Sequence, residues 1–281
     1  MWLRSLLLLG LVACTPDGSD DDGDTTDTTD TTDTTDTTDT TDTDDAPPDM
    51  PTLEELTSGT DGAMTVTLLS PGELIVGWNE IYLRVEDGAG DPVTGAALSQ
   101  APLMDMGEME HACPFTEPVE VMNHPGVYRA ELVPIMASGM MGTWSDTITV
   151  DVGDAAHTVT LDDLQVAETG RKKDLEVGDA TWIVTLTPAD ELEVGHVPVV
   201  VTVHALVDMM TFDPVDDLAL TVEPTMPSMG HGSEGNVDPT WKAAGRYEGE
   251  LVFSMGGAWQ VELGVSQGGV DLGSLLFDLD I

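Results

Sequence analysis

A group of two methionines and one histidine occurs twice in the chain, as Met106-x-x-Met109-x-His111 and as Met226-x-x-Met229-x-His231. Thioether sulfur and imidazole nitrogen are soft ligands that suit Cu(I), and methionine needs no deprotonation before it binds. Pro227 and Gly230 interrupt any regular strand in the second copy, which predicts a loop there. The pattern predicts two candidate Cu(I) sites, and the better candidate is the second.

Further candidate ligands follow each motif. Met140 and Met255 each lie four residues before a tryptophan, Trp144 and Trp259 respectively. An indole face attracts cations, so each tryptophan could cover a bound ion. Cys113 lies two residues after His111 and would add a thiol to the first site only.

The same residues also allow a purely structural interpretation. Methionine is an adaptable core filler, and a β-sandwich with only four phenylalanines could use methionine in their place. On this interpretation Trp144 and Trp259 lie in sandwich cores, and Tyr128 and Tyr247 pack near strand corners. The recurrence of the motif shows common descent of the two copies, and it leaves both interpretations open.

The duplication extends well beyond the methionines. Residues 66–77 match residues 184–195, and residues 126–132 match residues 245–251. Short alternating apolar runs, separated by Gly, Pro and Asp turns, predict strands throughout. We therefore predict an all-β chain with two tandem Ig-like antiparallel β-sandwich domains, at 60–166 and 177–281, joined by a linker at 167–176. A compact barrel is the structural alternative.

The N-terminal segment predicts export. Residues 1–13 combine Arg4 with an apolar run, which is typical of a signal peptide and too short to span a bilayer. Residues 11–14 resemble the bacterial lipobox, which implies cleavage before Cys14 and lipid attached to it. Thr15 follows in place of an inner-membrane retention aspartate, so we expect an outer-membrane anchor facing the periplasm or the cell surface. An ordinary signal peptide with an incidental cysteine is the alternative.

Residues 14–59 are predicted to form a disordered acidic tether. Thr-Thr-Asp repeats fill residues 25–42, and such a tract has no apolar side chain to bury. The whole chain has 53 acidic and 8 basic residues, a formal charge of -45. Phosphate repulsion therefore excludes nucleic acid as a partner.

The sequence contains no His-Glu-x-x-His pair. In so acidic a chain, paired carboxylates identify no active site. We expect a protein that is not an enzyme.

The second motif, followed by Gly245-x-Tyr247 and by Met255-Gly-Gly-Ala-Trp259, resembles the YtkA-like domain family, relatives of the FixH-type proteins. The resemblance implies an extracytoplasmic Ig-like sandwich in each unit. It also implies a link to copper handling, or to copper delivery to respiratory oxidases, through Met226, Met229 and His231. The first unit departs from the pattern at Asp105 and at residues 107–108.

These observations predict a membrane-anchored extracytoplasmic lipoprotein that binds or handles Cu(I). Its predicted partners are the membrane, through the lipid anchor, and either copper or a cell-envelope protein. The alternative function is a structural or protein-interaction module of the cell envelope that binds no metal.

Overall fold

The structure is a computed structural model, and it describes residues 50–281. The predicted signal peptide, the predicted lipid-bearing Cys14 and most of the predicted tether lie outside the described residues. The predicted all-β class is confirmed, because every regular element in residues 50–281 is a β-strand.

The first repeat contains eleven strands. They are β1 (Glu54–Thr60), β2 (Met64–Ser70), β3 (Leu74–Ile75), β4 (Asn79–Asp87), β5 (Ala97–Asp105), β6 (Glu110–Ala112), β7 (Val119–Glu120), β8 (Val127–Leu132), β9 (Thr143–Val152), β10 (Ala155–Leu164) and β11 (Val166–Ala167). Five strands form one sheet in the order β1-β2-β4-β8-β7, and four form the second in the order β10-β9-β5-β6. The short strands β11 and β3 pair in parallel.

The second repeat contains ten strands. They are β12 (Lys172–Val177), β13 (Ala180–Pro188), β14 (Gly195–Asp208), β15 (Thr211–Pro214), β16 (Leu218–Met226), β17 (His231–Gly232), β18 (Val237–Ala243), β19 (Arg246–Phe253), β20 (Ala258–Gln267) and β21 (Val270–Asp280). One sheet has the order β12-β13-β14-β19-β18, with β15 paired to β14, and the other has the order β17-β16-β20-β21. Each repeat is thus an open sandwich of two antiparallel sheets.

Alternation along the strands creates the two cores. In β16 every second residue is buried, from Leu218 to Met226, because successive side chains point to opposite faces of a sheet. Each repeat has its own apolar cluster, and each cluster contains one fully buried tryptophan, Trp144 or Trp259. The expectation that these tryptophans lie in sandwich cores is confirmed.

A buried tyrosine fixes the same corner in both repeats. The Tyr128 hydroxyl donates to the carbonyl oxygen of Val93 at 2.9 Å, and the Tyr247 hydroxyl donates to that of Val215 at 2.8 Å. Burial without such a partner would be unfavourable for a phenol. The expectation that both tyrosines pack near strand corners is confirmed by these bonds.

Two strands begin ahead of the predicted domain boundaries. β1 starts at Glu54 within the predicted tether, and β12 starts at Lys172 within the predicted linker. Both are edge strands whose residues are mostly exposed or half-buried, so their sequences carry little of the apolar alternation that predicts a strand. Pairing with β2 and β13 defines them instead.

One hairpin of the second repeat reaches the first repeat. Val85 and Val93 are eight positions apart, whereas the equivalent Val203 and Val215 are twelve apart, so the β14–β15 hairpin is longer. At its tip, the carbonyl oxygen of Met209 accepts a hydrogen bond from the Ala112 amide at 2.9 Å. The edge strand β6 is therefore bonded to β5 on one side and to this hairpin on the other.

Candidate functional site

The better candidate site is a tight hairpin at one edge of the second repeat. Strands β16 and β17 place Met226 directly opposite His231. The amides of Met229 and Gly230 both donate to the Met226 carbonyl oxygen, at 3.0 and 2.9 Å. Gly230 has a φ of 67°, a left-handed conformation that favours glycine, and it allows the chain to return within four residues. The turn thus holds all three motif residues within one short segment.

The imidazole of His231 is held so that one nitrogen is left for a ligand. Its Nδ1 lies 3.0 Å from the carbonyl oxygen of Gly232, and a carbonyl only accepts, so Nδ1 carries the proton. Nε2 is then the unprotonated nitrogen of the neutral ring. A metal-binding histidine is commonly oriented by this kind of bond. The Trp259 ring meets the imidazole edge-on, with 5.8 Å between centroids.

The thioethers around His231 range from buried to exposed. Met226 is 3% exposed and lies in the core, Met255 is 38% exposed, and Met229 is 61% exposed. The Trp259 indole donates to the Met255 carbonyl oxygen at 3.0 Å, which fixes the backbone of that residue near the hairpin. The Met226 side chain is therefore enclosed in the core, whereas those of Met255 and Met229 reach solvent.

The first repeat has the same arrangement, but with Met104 in the place of Met226. Strands β5 and β6 place Met104 opposite His111, and β9 places Trp144 opposite Met104. His111 Nδ1 donates to the Ala112 carbonyl oxygen at 2.9 Å, and the Trp144 ring lies 5.0 Å away, again edge-on. His111 is fully buried, and its Nε2 has no hydrogen-bond partner.

The sequence motif aligns Met106 with Met226, whereas the structure makes Met104 the equivalent of Met226. The alignments differ because the β5–β6 hairpin has two more residues between Met104 and His111 than the β16–β17 hairpin has between Met226 and His231. A signal for the correct alignment exists in the sequence. Pro102 precedes Met104 by two residues, as Pro224 precedes Met226, and the two prolines hold equivalent positions in their sheets.

The remaining candidates of the first repeat lie at different depths. Met106 is half-buried against the core, and its amide donates to the Met109 carbonyl oxygen at 2.9 Å. Met109 is 62% exposed, and Met140 is completely exposed. The Trp144 indole donates to the Met136 carbonyl oxygen at 2.9 Å, so Met136, not Met140, is the structural counterpart of Met255.

Cys113 and Asp146 are buried together in the first repeat. Burial, and then the nearby Asp146 carboxyl, raise the pKa of the Cys113 thiol far above its ordinary value. Burial also raises the pKa of Asp146 to about 7, although the Ala101 amide donates to its Oδ1 at 3.1 Å. Cys113 is therefore a protonated thiol in the metal-free protein, and a metal ion must displace that proton to bind.

Within residues 50–281, no three His, Cys, Asp or Glu side chains converge as a metal-binding group. The described portion of the chain also has no helix that is long and apolar enough to cross a membrane.

A family model described as YtkA-like matches the chain twice, at residues 60–149 and 172–264. Each match lies within one sandwich, and the two end within β9 and β20. No curated protein matches the chain.

The solved structures to which the chain is similar share little sequence identity with it. The chain is similar to FdeC, an Escherichia coli adhesin (15% identity, TM-score 0.26, 83% of this chain and 85% of that chain). It is also similar to domains 5-6 of the S-layer protein SbsC (14%, 0.25, 82% and 98%) and to a chimeric titin Z1Z2 (11%, 0.22, 81% and 97%).

Proposed function

The chain belongs to the YtkA-like family, and on this premise we propose that it is a non-catalytic, extracytoplasmic lipoprotein whose second repeat binds Cu(I). The ligands are Met226, Met229 and His231, with Met255 as a further thioether beside them. The membrane anchor is lipid on Cys14, in the outer membrane.

The observation that carries the proposal is the oriented imidazole of His231. Its Nδ1 is committed to the Gly232 carbonyl, and this leaves Nε2 free on a hairpin that also carries Met226 and Met229. One imidazole with thioether sulfurs is a donor set that selects Cu(I) over hard cations such as Mg²⁺. The strongly acidic chain adds a field that raises the local concentration of cations.

The mixture of buried and exposed donors suits reversible handling of the ion. Met226 is anchored in the core, whereas Met229 is mostly exposed and can reach an ion in solution or on a partner. Such a site accepts and releases Cu(I) without unfolding the sandwich.

An anaerobic Cu(I) titration against a competing chelator tests this proposal. The double substitution Met229→Leu and His231→Ala should weaken the second-repeat site at least about tenfold, which corresponds to about 1.4 kcal/mol. The matched control is Met122→Leu with His124→Ala, an exposed methionine and a nearby histidine outside both hairpins. Equal affinity in the two double variants would contradict copper binding at this hairpin.

The anchor has its own test. In cells, Cys14→Ser should move the protein from the membrane fraction to the soluble fraction. Unchanged fractionation would contradict lipid attachment at this cysteine.

A second candidate function is binding to a cell-envelope protein, and one surface of the first repeat favours it. The short edge strand β7 leaves Val119 and Met122 exposed beside a groove of about 460 Å³. Apolar side chains at an incompletely covered sheet edge are suited to protein contacts. A photoreactive residue at position 122 should then cross-link to one envelope protein, whereas a photoreactive residue at Met140 should not.

A further inference from the structure

The interior of the first repeat has polar residues at positions that are apolar in the second. The paired strands make Gln100 equivalent to Val222, and Asp146 equivalent to Val261. All four side chains are buried. Just beyond β6, Cys113 holds the position of Ser233, since His111 and His231 are equivalent. The first sandwich thus has buried polar side chains at positions that are apolar in the second.

Three atoms of this group lack hydrogen-bond partners although they are buried. They are Nε2 of His111, Oδ2 of Asp146 and Oε1 of Gln100. A buried polar atom without a partner is destabilising, so each such atom inside an apolar core is a candidate contact for a ligand. The lone pair on the free Nε2 of His111 can bind a metal ion.

Two sulfur donors lie in the same interior as His111. Cys113 follows His111 by two residues, just past the end of β6, and both side chains are buried. Met104 lies directly opposite His111, close enough for cross-strand side-chain contact. Met104 and Cys113 both belong to the core cluster of the first repeat.

We propose that Met104, His111 and Cys113 form a second, thiolate-containing Cu(I) site inside the first repeat. The proposal rests on the proposed function only for the choice of copper. On binding, the S–H bond of Cys113 breaks, an S–Cu bond forms, and the proton goes to solvent. Copper stays Cu(I) throughout. This site differs from the second-repeat hairpin, where Ser233 replaces the thiol.

The methionines of the β5–β6 hairpin provide a path for the ion. Met109 is exposed, Met106 is half-buried, and Met104 is completely buried opposite His111. Thioether donors therefore extend from solvent to the interior along one hairpin. A buried thiolate should retain Cu(I) more firmly than the exposed hairpin of the second repeat.

The test uses the full chain carrying Cys14→Ser, in which Cys113 is the only remaining thiol. Anaerobic addition of Cu(I) should produce the ultraviolet charge-transfer band of a thiolate–copper bond. Release of one proton per bound ion should accompany it in a weakly buffered solution with a pH indicator. Both signals should disappear in Cys113→Ser, which introduces the residue of the second repeat, with circular dichroism confirming that the sandwich is folded.

Two further variants separate this site from the proposed function. Met104→Leu, which preserves core volume, should lower the affinity measured by the charge-transfer band at least tenfold. His231→Ala should leave the band unchanged. Absence of the band in the folded Cys14→Ser protein would overturn the first-repeat site, whatever the second-repeat titration gives. A band that is unaffected by Met104→Leu would exclude Met104 from the ligand set.

Discussion

Met226 lies directly across the β16–β17 ladder from His231. The first repeat has the same relationship between Met104 and His111, with a tryptophan beside each imidazole. This shared unit of methionine, histidine and tryptophan is the feature on which the functional account depends.

Gly257, in the loop between β19 and β20, lies against the Met226 side chain of the second-repeat hairpin. Its φ of 131° is disfavoured for other residues, and a Cβ there would lie 3.2 Å from the Met226 Cε. Gly257→Ala should therefore lower the free energy of unfolding by about 1 kcal/mol and also weaken Cu(I) binding, because Met226 must move. Chemical denaturation and the Cu(I) titration measure the two effects.

Gly195→Ala is the matched control for this prediction. Gly195 has a similar φ of 127°, but a Cβ there would meet no atom within 4 Å. The Gly195→Ala variant should lose stability from backbone strain alone and keep the Cu(I) affinity of the wild-type chain. Equal loss of affinity in both variants would show that the contact with Met226 is unimportant.

The buried His204 predicts a loss of stability at acidic pH. Burial lowers its pKa from 6.5 to about 4, against the opposing effects of the Ala244 carbonyl and the Asp216 charge. Neutral His204 is favoured in the folded protein, so its contribution is complete above pH 6.5 and is lost as the pH falls through 4. The loss at pH 4, relative to pH 7, should be about 3 kcal/mol.

Urea denaturation at several pH values, for the wild-type chain and for His204→Gln, measures this contribution. The difference between the two proteins isolates His204 from the many carboxylates that also titrate. The variant should show a flatter decline between pH 7 and pH 4. Parallel stability curves would mean that His204 protonates without loss of folding stability.

An ion pair is expected to couple the two repeats. Arg246 Nη1 of the second repeat lies 2.9 Å from Glu131 Oε1 of the first, and both side chains are mostly buried. Arg246→Gln leaves Glu131 with only a distant cation, Arg129 at 3.9 Å. The free energy of unfolding should fall on the order of 1 kcal/mol, as measured by urea denaturation followed by tryptophan fluorescence.

Lys242→Gln provides the comparison for this ion pair. Lys242 lies 3.7 Å from Glu248, and both side chains are substantially exposed, so the loss should be small. If the Lys242 and Arg246 variants unfold at the same urea concentration, the inter-repeat ion pair contributes no special stability.

The β-sandwich repeats were predictable because their signals are local. Alternating apolar residues, as in β16, indicate which face of a strand is buried. The matched residues around Tyr128 and Tyr247 indicate the two strand corners. The polar edge strands β1 and β12 lack this apolar alternation. They are strands because they pair with β2 and β13.

The candidate site was predictable only in part. The sequence motif correctly matches His111 with His231. Because the β5–β6 hairpin contains two additional residues, the motif selects Met106, whereas Met104 is the residue that lies opposite His111. The unpartnered nitrogen of His111 and the contact of Met209 with Ala112 depend on tertiary packing. Neither could be derived from residue spacing.

X-ray absorption at the copper edge is the most direct test of the central claim, that the second-repeat hairpin binds Cu(I) through sulfur and imidazole. The measurement uses the Cys14→Ser, Cys113→Ser chain with one equivalent of Cu(I), so that any sulfur around the metal is thioether. We predict scattering from both sulfur and an imidazole nitrogen, with less sulfur in Met229→Leu and no imidazole in His231→Ala. Copper surrounded only by oxygen or nitrogen, or a spectrum unchanged by both substitutions, would contradict the claim.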